Sequence, residues 1–512
     1  MIRSAADVGP DGLEATVDVC IVGSGAGGSV VAAGLAGDGA RVLVLEAGPA
    51  VDRRDFTMHE RDTMPRFYQE GAGRATKDLA ISVLQGAVLG GGTTVNWTSC
   101  FRTPERILAH WRDVHGLTDL TSEALRPHFD AVEARLNIRE WPESAANANN
   151  RVLLDGAKAL GWEHGPMRRN VKGCANSGYC GMGCPVDGKQ AMHLTYLADA
   201  SAAGAVVQAD ARATRLDAVP GGWKVTGVVR PERGGSEVPL SVTARVVVVA
   251  GGAINSPALL LRSGLGAGLP ALGRRTFLHP VVAVLGRYAR DIHPWYGAPQ
   301  SAHSHEHIDR GPGKMGFFLE AAPLHPMLAA VSLKSFGPEH ADAMLGLRRT
   351  SALLALHVDG LLDEDVGGVV TVDGAGRPEL DYPFRAALLE ALRPAHEALV
   401  QVHLAAGAEV VATTHTDPLR IATEVELTRL QDRPYGPLEH SVFSAHQMGG
   451  CTLGTDPATS VVGMDHQVHG VDNLFVVDGS VLPTALGVNP SETIYGLSHR
   501  AVGFVRDALG GG

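Results

Sequence analysis

The chain has 512 residues, 45% hydrophobic and 19% charged, the composition of a soluble globular protein with two or three structural units. A formal net charge of −11 without a basic block argues against nucleic acid as a main partner and leaves weak membrane-surface contact open. Six cysteines, at 20, 100, 174, 180, 184 and 451, are too few for a disulfide scaffold at this length.

The opening stretch MIRSAADVGPDGLEATVDVC has no apolar targeting core, so a cytoplasmic protein is expected. VDVCIVG, from Val17, predicts a short buried strand, followed by a helix from about Gly27 to Ala36 that Gly37-Asp38-Gly39 stops. RVLVLEAG then closes a βαβ unit. The stretches 50–78 and 105–190 are polar and read as irregular insertions suited to lids. The apolar run Val246 to Leu261 is broken by Gly251, Gly252, Asn255 and Pro257, so it reads as strand, turn and helix start. A membrane span would need roughly 20 predominantly apolar residues. RVVVVAGG and LFVVDG repeat the pattern of an apolar strand running into glycine, which predicts one parallel sheet built from distant segments.

Between about 285 and 440, VVAVLGRY, KMGFFLEAAP, SALLALHVDG and GGVVTVDG read as strands of a mainly antiparallel sheet. The helical segment FRAALLEALRPAHEALVQVHLAAG lies among them. The predicted class is α/β (α+β overall): a Rossmann-like nucleotide-binding domain with a mainly antiparallel-sheet substrate domain.

Gly23-Ser24-Gly25-Ala26-Gly27-Gly28 fits G-x-G-x-x-G between the first strand and its helix. Its glycines serve the tight turn, close approach of backbone to a pyrophosphate, and helix–sheet packing. The helix N-terminus offers free N–H groups to the anion. Glu46, followed by Ala47, ends the second strand 18 residues after Gly28, where a carboxylate can bind ribose hydroxyls. The motif predicts a dinucleotide without choosing between NAD and FAD.

Three further blocks are informative. Gly90-Gly91-Gly92-Thr93-Thr94-Val95-Asn96-Trp97 resembles the second flavin-contacting loop of the glucose–methanol–choline (GMC) oxidoreductases. GAINSPALLLRSGLG and GRRTFLHP resemble that family's internal signature and the turn after it. AHQMGGCTLG and NLFVVDGSVLPTALGVNPSETIYGLSHRAV resemble its C-terminal block. GGGTTVNWTSCFRTPE, YCGMGCPVDGKQAMHLTYLADA and HVDGLLDEDVGGVVTVDGAGRPELDY are most similar to the long-chain alcohol oxidase branch.

The resemblance implies non-covalent FAD, since no histidine lies between Gly90 and Pro104 for attachment. It places Gly23, Gly25, Ala26, Gly28, Glu46 and Ala47 at the ADP half. Gly91, Thr93, Asn96 and Trp97 would follow the flavin and ribityl chain, Gly251, Asp478 and Gly479 the pyrophosphate region, and Asn489, Pro490 and Ser491 the isoalloxazine. It also implies an FAD-binding domain of 1–50, 78–105, 190–285 and 440–512, with a substrate domain of 285–440.

Alcohol oxidation removes the hydroxyl proton as hydride leaves carbon, so it needs a base of near-working pKa beside the flavin; imidazole fits. The family's base position corresponds to His446, in His446-Gln447-Met448-Gly449-Gly450-Cys451, and its partner position to Asn489. Asn489 cannot titrate but can hold the substrate oxygen. The implied partners are a small-molecule alcohol and O2 or another electron acceptor; the oligomeric state is left open. The expected reaction is oxidation of an aliphatic, long-chain primary alcohol to an aldehyde, with hydrogen peroxide formed. Rivals are a dehydrogenase using a quinone or other acceptor, a sterol oxidase, and a lyase, isomerase or decarboxylase on the same scaffold.

The Leu/Ala/Val-rich segments 323–333 and 351–357 would suit an apolar substrate pocket. Cys174, Cys180 and Cys184 could hold an iron–sulfur cluster or a disulfide, but packing within a glycine-rich loop is the expectation. His303-Ser304-His305-Glu306-His307 resembles a metal site at a glance. An exposed loop or strand face is expected there, and no metal is assigned.

Overall fold

The computed structural model describes residues 1–231 and 234–510. Two large sheets organise the chain. The first runs in the order Ile2–Arg3, Val206–Gln208, Val42–Leu45, Leu13–Val22, Val238–Val249, Gly222–Val229 and Ala211–Val219; Leu474–Val476 also pairs with Val238–Val249. The strands from Ile2–Arg3 to Val238–Val249, and Leu474–Val476, pair in parallel; the last two strands of the path are antiparallel.

The predicted parallel sheet is therefore present, with an antiparallel flank that was not predicted. Its first strand also starts at Leu13, four residues before Val17. Alternation explains why the central strands are apolar throughout: each face is covered. Val19, Ile21, Val44, Val246 and Val248 pack with Val31 and Leu35 of the helix Ala26–Gly37. Cys20, Leu43, Leu45, Val247 and Val249 share the opposite core with Ile107, Leu108, Trp111 and Phe129.

Those last four residues correct one expectation. The stretch 105–190 is not irregular: it carries the helices Glu105–His115, Ser122–Leu136 and Ala148–Leu160. Thr121 and Asn147 cap two of them at the N-terminus, and Gly116 and Gly161 end two in the left-handed conformation. The spacing Leu125, Phe129, Val132, Leu136 is a helical stripe masked by a polar composition. In 50–78 the helix Glu60–Phe67 likewise replaces an irregular segment.

The second sheet follows the order Arg420–Ile421, Val410–Thr413, Val281–Arg287, Thr350–His357, Phe317–Ala321, Ala302–Ser304 and Gly165–Pro166, antiparallel along this path. Val369–Val372 does not join it; that segment pairs with Pro378–Asp381 in a separate hairpin, because GAGR turns the chain back on itself. The back of the sheet packs Val282, Val284, Leu319, Leu353 and Ala355 with Leu388, Leu392, Ala395 and Leu399 of the helix Ala386–Ala405. Its front presents Val281, Phe318, Glu320, Leu354 and Leu356 to the other sheet's side of the molecule. No helix among the described residues is long and apolar enough to cross a membrane.

Candidate active site

The ends of the parallel strands and the front of the second sheet enclose a cavity of about 790 Å³. At one end the strand Leu13–Val22 runs into Gly23, whose φ of 110° places it where a side chain is strained. A Cβ there would lie 2.3 Å from the Ala250 carbonyl oxygen. Gly91, at φ 57°, brings the second glycine loop so close that a Cβ on it would lie 2.7 Å from Gly25 Cα. Two backbones thus abut with no room for side chains, forming a cradle that suits a dinucleotide phosphate chain.

Gly23, Gly25, Ala26, Glu46, Ala47, Gly91, Thr93, Asn96, Trp97, Gly251, Asp478, Gly479, Asn489, Pro490, Ser491 and His446 all reach the cavity wall. Gly28 does not. A Cβ there would lie 2.1 Å from the Gly23 carbonyl oxygen and 3.0 Å from Ile21, so it serves helix–strand packing rather than ligand contact. Glu46 accepts bonds from the Ser24 and Gly48 N–H groups (3.0 and 2.8 Å) and from the Ser24 hydroxyl. Burial raises its carboxyl above the ordinary range. Asp478 accepts from the Gly252 N–H (2.7 Å) and the Ser256 hydroxyl (2.5 Å), fixing the turn after the strand Val238–Val249. His193 lies against the glycine loop, 3.2 Å from Thr94 Oγ1, but is not on the cavity wall.

The opposite end is built by register. Thr276–Leu278 pairs antiparallel with Gln447–Gly449, with Leu278 opposite Gln447. The next residues outward, His279 and His446, therefore meet, with Nδ1 atoms 2.9 Å apart and rings edge to face. Asn489, two residues before the C-terminal helix Ser491–Gly510, places Nδ2 3.3 Å from His446 Nε2. The N-terminus of that helix, at Pro490 and Ser491, opens on the cavity and favours negative charge there.

Burial lowers His446 to about 4, so its imidazole is neutral at pH 7. His279, fully buried, is pushed well below the usual histidine range by burial and then by His446. The Gly487 N–H donates to His279 Nε2 at 3.2 Å. Asn489 Nδ2, which can only donate, faces His446 Nε2. The proton between the two Nδ1 atoms can therefore satisfy only one of the flanking donors: on His279 it keeps the Gly487 bond, on His446 it keeps the Asn489 bond. A base needs the second arrangement, with the lone pair at His446 Nε2 accepting from Asn489. It exchanges the Gly487 bond for the Asn489 bond, each worth about 0.5–1.5 kcal/mol.

Sequence reading missed Glu320. Its strand, Phe317–Ala321, is otherwise apolar and fully buried, and a lone carboxyl in FFLEA was the available signal. Glu320 lines the cavity, hydrogen-bonds with Asn489, and accepts from Gln300 Nε2, whose Oε1 accepts from Ser99. Burial raises it to about 8, so it is protonated at pH 7. His279 lies in the GRRTFLHP block, whose sequence carries no signal that the ring meets His446.

Of the segments expected to form an apolar pocket, only Leu354 and Leu356 of 351–357 reach the cavity. The stretch 323–333 forms the helix Pro326–Ser332, with Met327 and Val331 exposed. All six cysteines are free thiols, so no disulfide joins Cys174, Cys180 or Cys184. His303, His305 and His307 are half-buried rather than exposed.

The models for GMC oxidoreductases match residues 64–281 and 374–498, covering the N- and C-terminal parts in order. The chain belongs to the GMC oxidoreductase family. It is an FAD-dependent oxidoreductase acting on CH–OH donors. A GMC-type oxidoreductase of Mycobacterium tuberculosis with no established function is 33% identical over 487 residues, 94% of this chain and 74% of the relative. A long-chain-alcohol oxidase of Arabidopsis thaliana is 32% identical over 503 residues, 94% of this chain and 67% of the relative. Among solved structures, pyridoxine 4-oxidase from Mesorbium loti shares the fold at TM-score 0.70 and 19% identity, over 96% of this chain and 99% of that one.

Proposed function

We propose that the chain is an alcohol oxidase that converts an aliphatic, long-chain primary alcohol to its aldehyde and passes the electrons to O2, forming hydrogen peroxide. The observation that carries this reading is the neutral His446 beside Asn489, facing a cavity whose other wall includes Val281, Leu354, Leu356 and Phe443. The Arabidopsis relatives named long-chain-alcohol oxidases support the substrate class. FAD fits the double-glycine cradle and is proposed to be held without a covalent bond; when bound, it accepts the hydride.

The protein's own groups supply the rest. Asn489 holds the substrate oxygen, so that the reacting C–H is presented in one orientation. His446 takes the hydroxyl proton at Nε2, while its Nδ1–H donates to His279 Nδ1 before and after the transfer. Glu320, neutral at pH 7, adds no negative charge beside the reacting atoms. The apolar wall excludes water from the aliphatic chain, at roughly 0.8 kcal/mol per buried methylene.

The test is anaerobic mixing of the FAD-loaded protein with aliphatic alcohols of increasing length, a sterol and a sugar, followed by admission of air. The reading expects flavin bleaching that deepens with aliphatic chain length, then rapid recovery in air with peroxide released. Recovery only with an added quinone would replace the oxidase by a dehydrogenase. Bleaching by the sterol alone would replace the substrate class.

A further inference from the structure

At the edge of the second sheet three side chains converge that the proposed reaction does not use. The strand Ala302–Ser304 pairs with Phe317–Ala321 on one side and with Gly165–Pro166 on the other, where His303 sits opposite Gly165. Just before that short strand, Glu163 is clamped reciprocally. Its Oε2 accepts the His305 N–H at 2.5 Å, and its own N–H donates to Glu306 Oε2 at 2.8 Å. One ligand atom from each of Glu163, His303 and His305 lies within 4.8 Å of the other two.

The two rings are aimed. Their centroids are 4.6 Å apart, and Phe101 packs edge-on against both, at 5.2 and 5.6 Å. The ring of His303 hydrogen-bonds with the Pro166 carbonyl, and that of His305 with the Gly487 carbonyl. A neutral imidazole that donates from one nitrogen keeps its lone pair on the other. The nitrogens left over, Nδ1 of His303 and Nε2 of His305, are buried and have no hydrogen-bond partner. Burial holds both rings below the ordinary histidine range, His305 at about 3, so the lone pairs are free at neutral pH.

Histidines that ligate metals characteristically give their second N–H to a backbone carbonyl, which fixes the tautomer and the aim of the ring. Two such rings beside a fixed carboxylate match the two-imidazole, one-carboxylate set of open zinc sites. His307 is not part of the set: its ring packs on Trp162 and Phe317, at 4.6 and 4.9 Å.

We propose that Glu163, His303 and His305 bind one divalent first-row metal ion, zinc by its ligand chemistry, with water filling the remaining position. Glu163 is exposed, so the carboxylate side of the site faces solvent. The ion ties the Gly165–Pro166 strand to the sheet edge. Through the His305 contact with the Gly487 carbonyl it also braces the loop that carries Asn489 and holds His279. Its role is positional, and the hydride step does not pass through it.

The experiment uses tag-free, FAD-loaded protein stripped with a chelator and dialysed against Zn²⁺, with bound metal measured by elemental analysis and thermal melting followed in parallel. One Zn²⁺ per chain and a raised melting temperature are expected for the parent and for His307→Ala. Glu163→Gln and His305→Ala should each weaken binding at least tenfold while retaining FAD, which reports that they fold. Failure of the parent to bind Zn²⁺ overturns the site, as does binding undiminished in both variants. Where a variant loses FAD, zinc-edge anomalous scattering from soaked parent crystals decides: a peak between the three residues supports the proposal, and a peak elsewhere or none overturns it.

Discussion

The two ends of the cavity are built on different principles. At the nucleotide end, backbone does the recognition: Gly23, Gly25 and Gly91 are close in space because side chains are missing, and each lies in a local motif. At the alcohol end, side chains from four distant segments do it, at positions 279, 320, 446 and 489, joined by hydrogen bonds that span up to 169 residues of sequence, from Glu320 to Asn489. A backbone site tolerates almost any composition around it, whereas a side-chain site depends on the register of the strands that carry it. Damage at the two ends should therefore separate cleanly into loss of FAD and loss of chemistry.

The largest expected effect is at the alcohol end. His446→Gln should keep its FAD and slow flavin reduction by about 10²–10⁴-fold, the usual contribution of a positioned acid or base. Stopped-flow absorbance at saturating alcohol measures it; a smaller loss would mean that the proton goes elsewhere.

At the nucleotide end, Gly91→Ala should instead lose FAD, because its Cβ meets Gly25 Cα at 2.7 Å and its φ is 57°. Strain of this kind costs about 1–3 kcal/mol. Flavin content after gel filtration checks it. Retention of full FAD with reduced turnover would blur the proposed division.

The sequence made the two ends unequally legible. The first glycine turn was readable because its physics is local: strand, glycines and helix lie within thirty residues. Gly91, across the cradle from Gly25, was placed only by family resemblance. The His446–Asn489 pair was readable only through family resemblance, since nothing in the sequence says that two residues 43 positions apart touch. Glu320 and His279 owe their places to cross-strand pairing, Glu320 opposite Leu354 and His279 beyond Leu278–Gln447, which composition does not encode. The helices of 105–190 failed for another reason: their apolar stripes were sound, but charged outer faces dominated the reading.

A pH profile sharpens the alcohol end. His446 works as a base only when neutral, so kcat/KM should fall as pH drops through about 4. Glu320 ionises as pH rises through about 8, placing a negative charge beside Asn489, so the rate should decline again there. Glu320→Gln should remove the upper limb and leave the lower one. An unchanged upper limb would assign it to another group.

Stability should show the broadest and shallowest dependence. His357, His440 and His466 are held at about 4 by burial, against about 6.5 when unfolded. A lowered histidine binds its proton in the unfolded chain first, so folding weakens as pH falls from about 6.5 toward 4. Each such group contributes a slope approaching about 1.4 kcal/mol per pH unit. Urea unfolding of the FAD-loaded protein at pH 7 and pH 5 measures it, and equal midpoints would contradict the buried neutral state of these rings.

The most direct test of the central reading is anaerobic stopped-flow reduction of the bound flavin by dodecan-1-ol, in the parent and in His446→Gln at matched FAD content. The account predicts rapid single-turnover bleaching in the parent and slowing by at least about 10²-fold in the variant. Equal rates in the two proteins, or no bleaching in the parent by any alcohol, would contradict it.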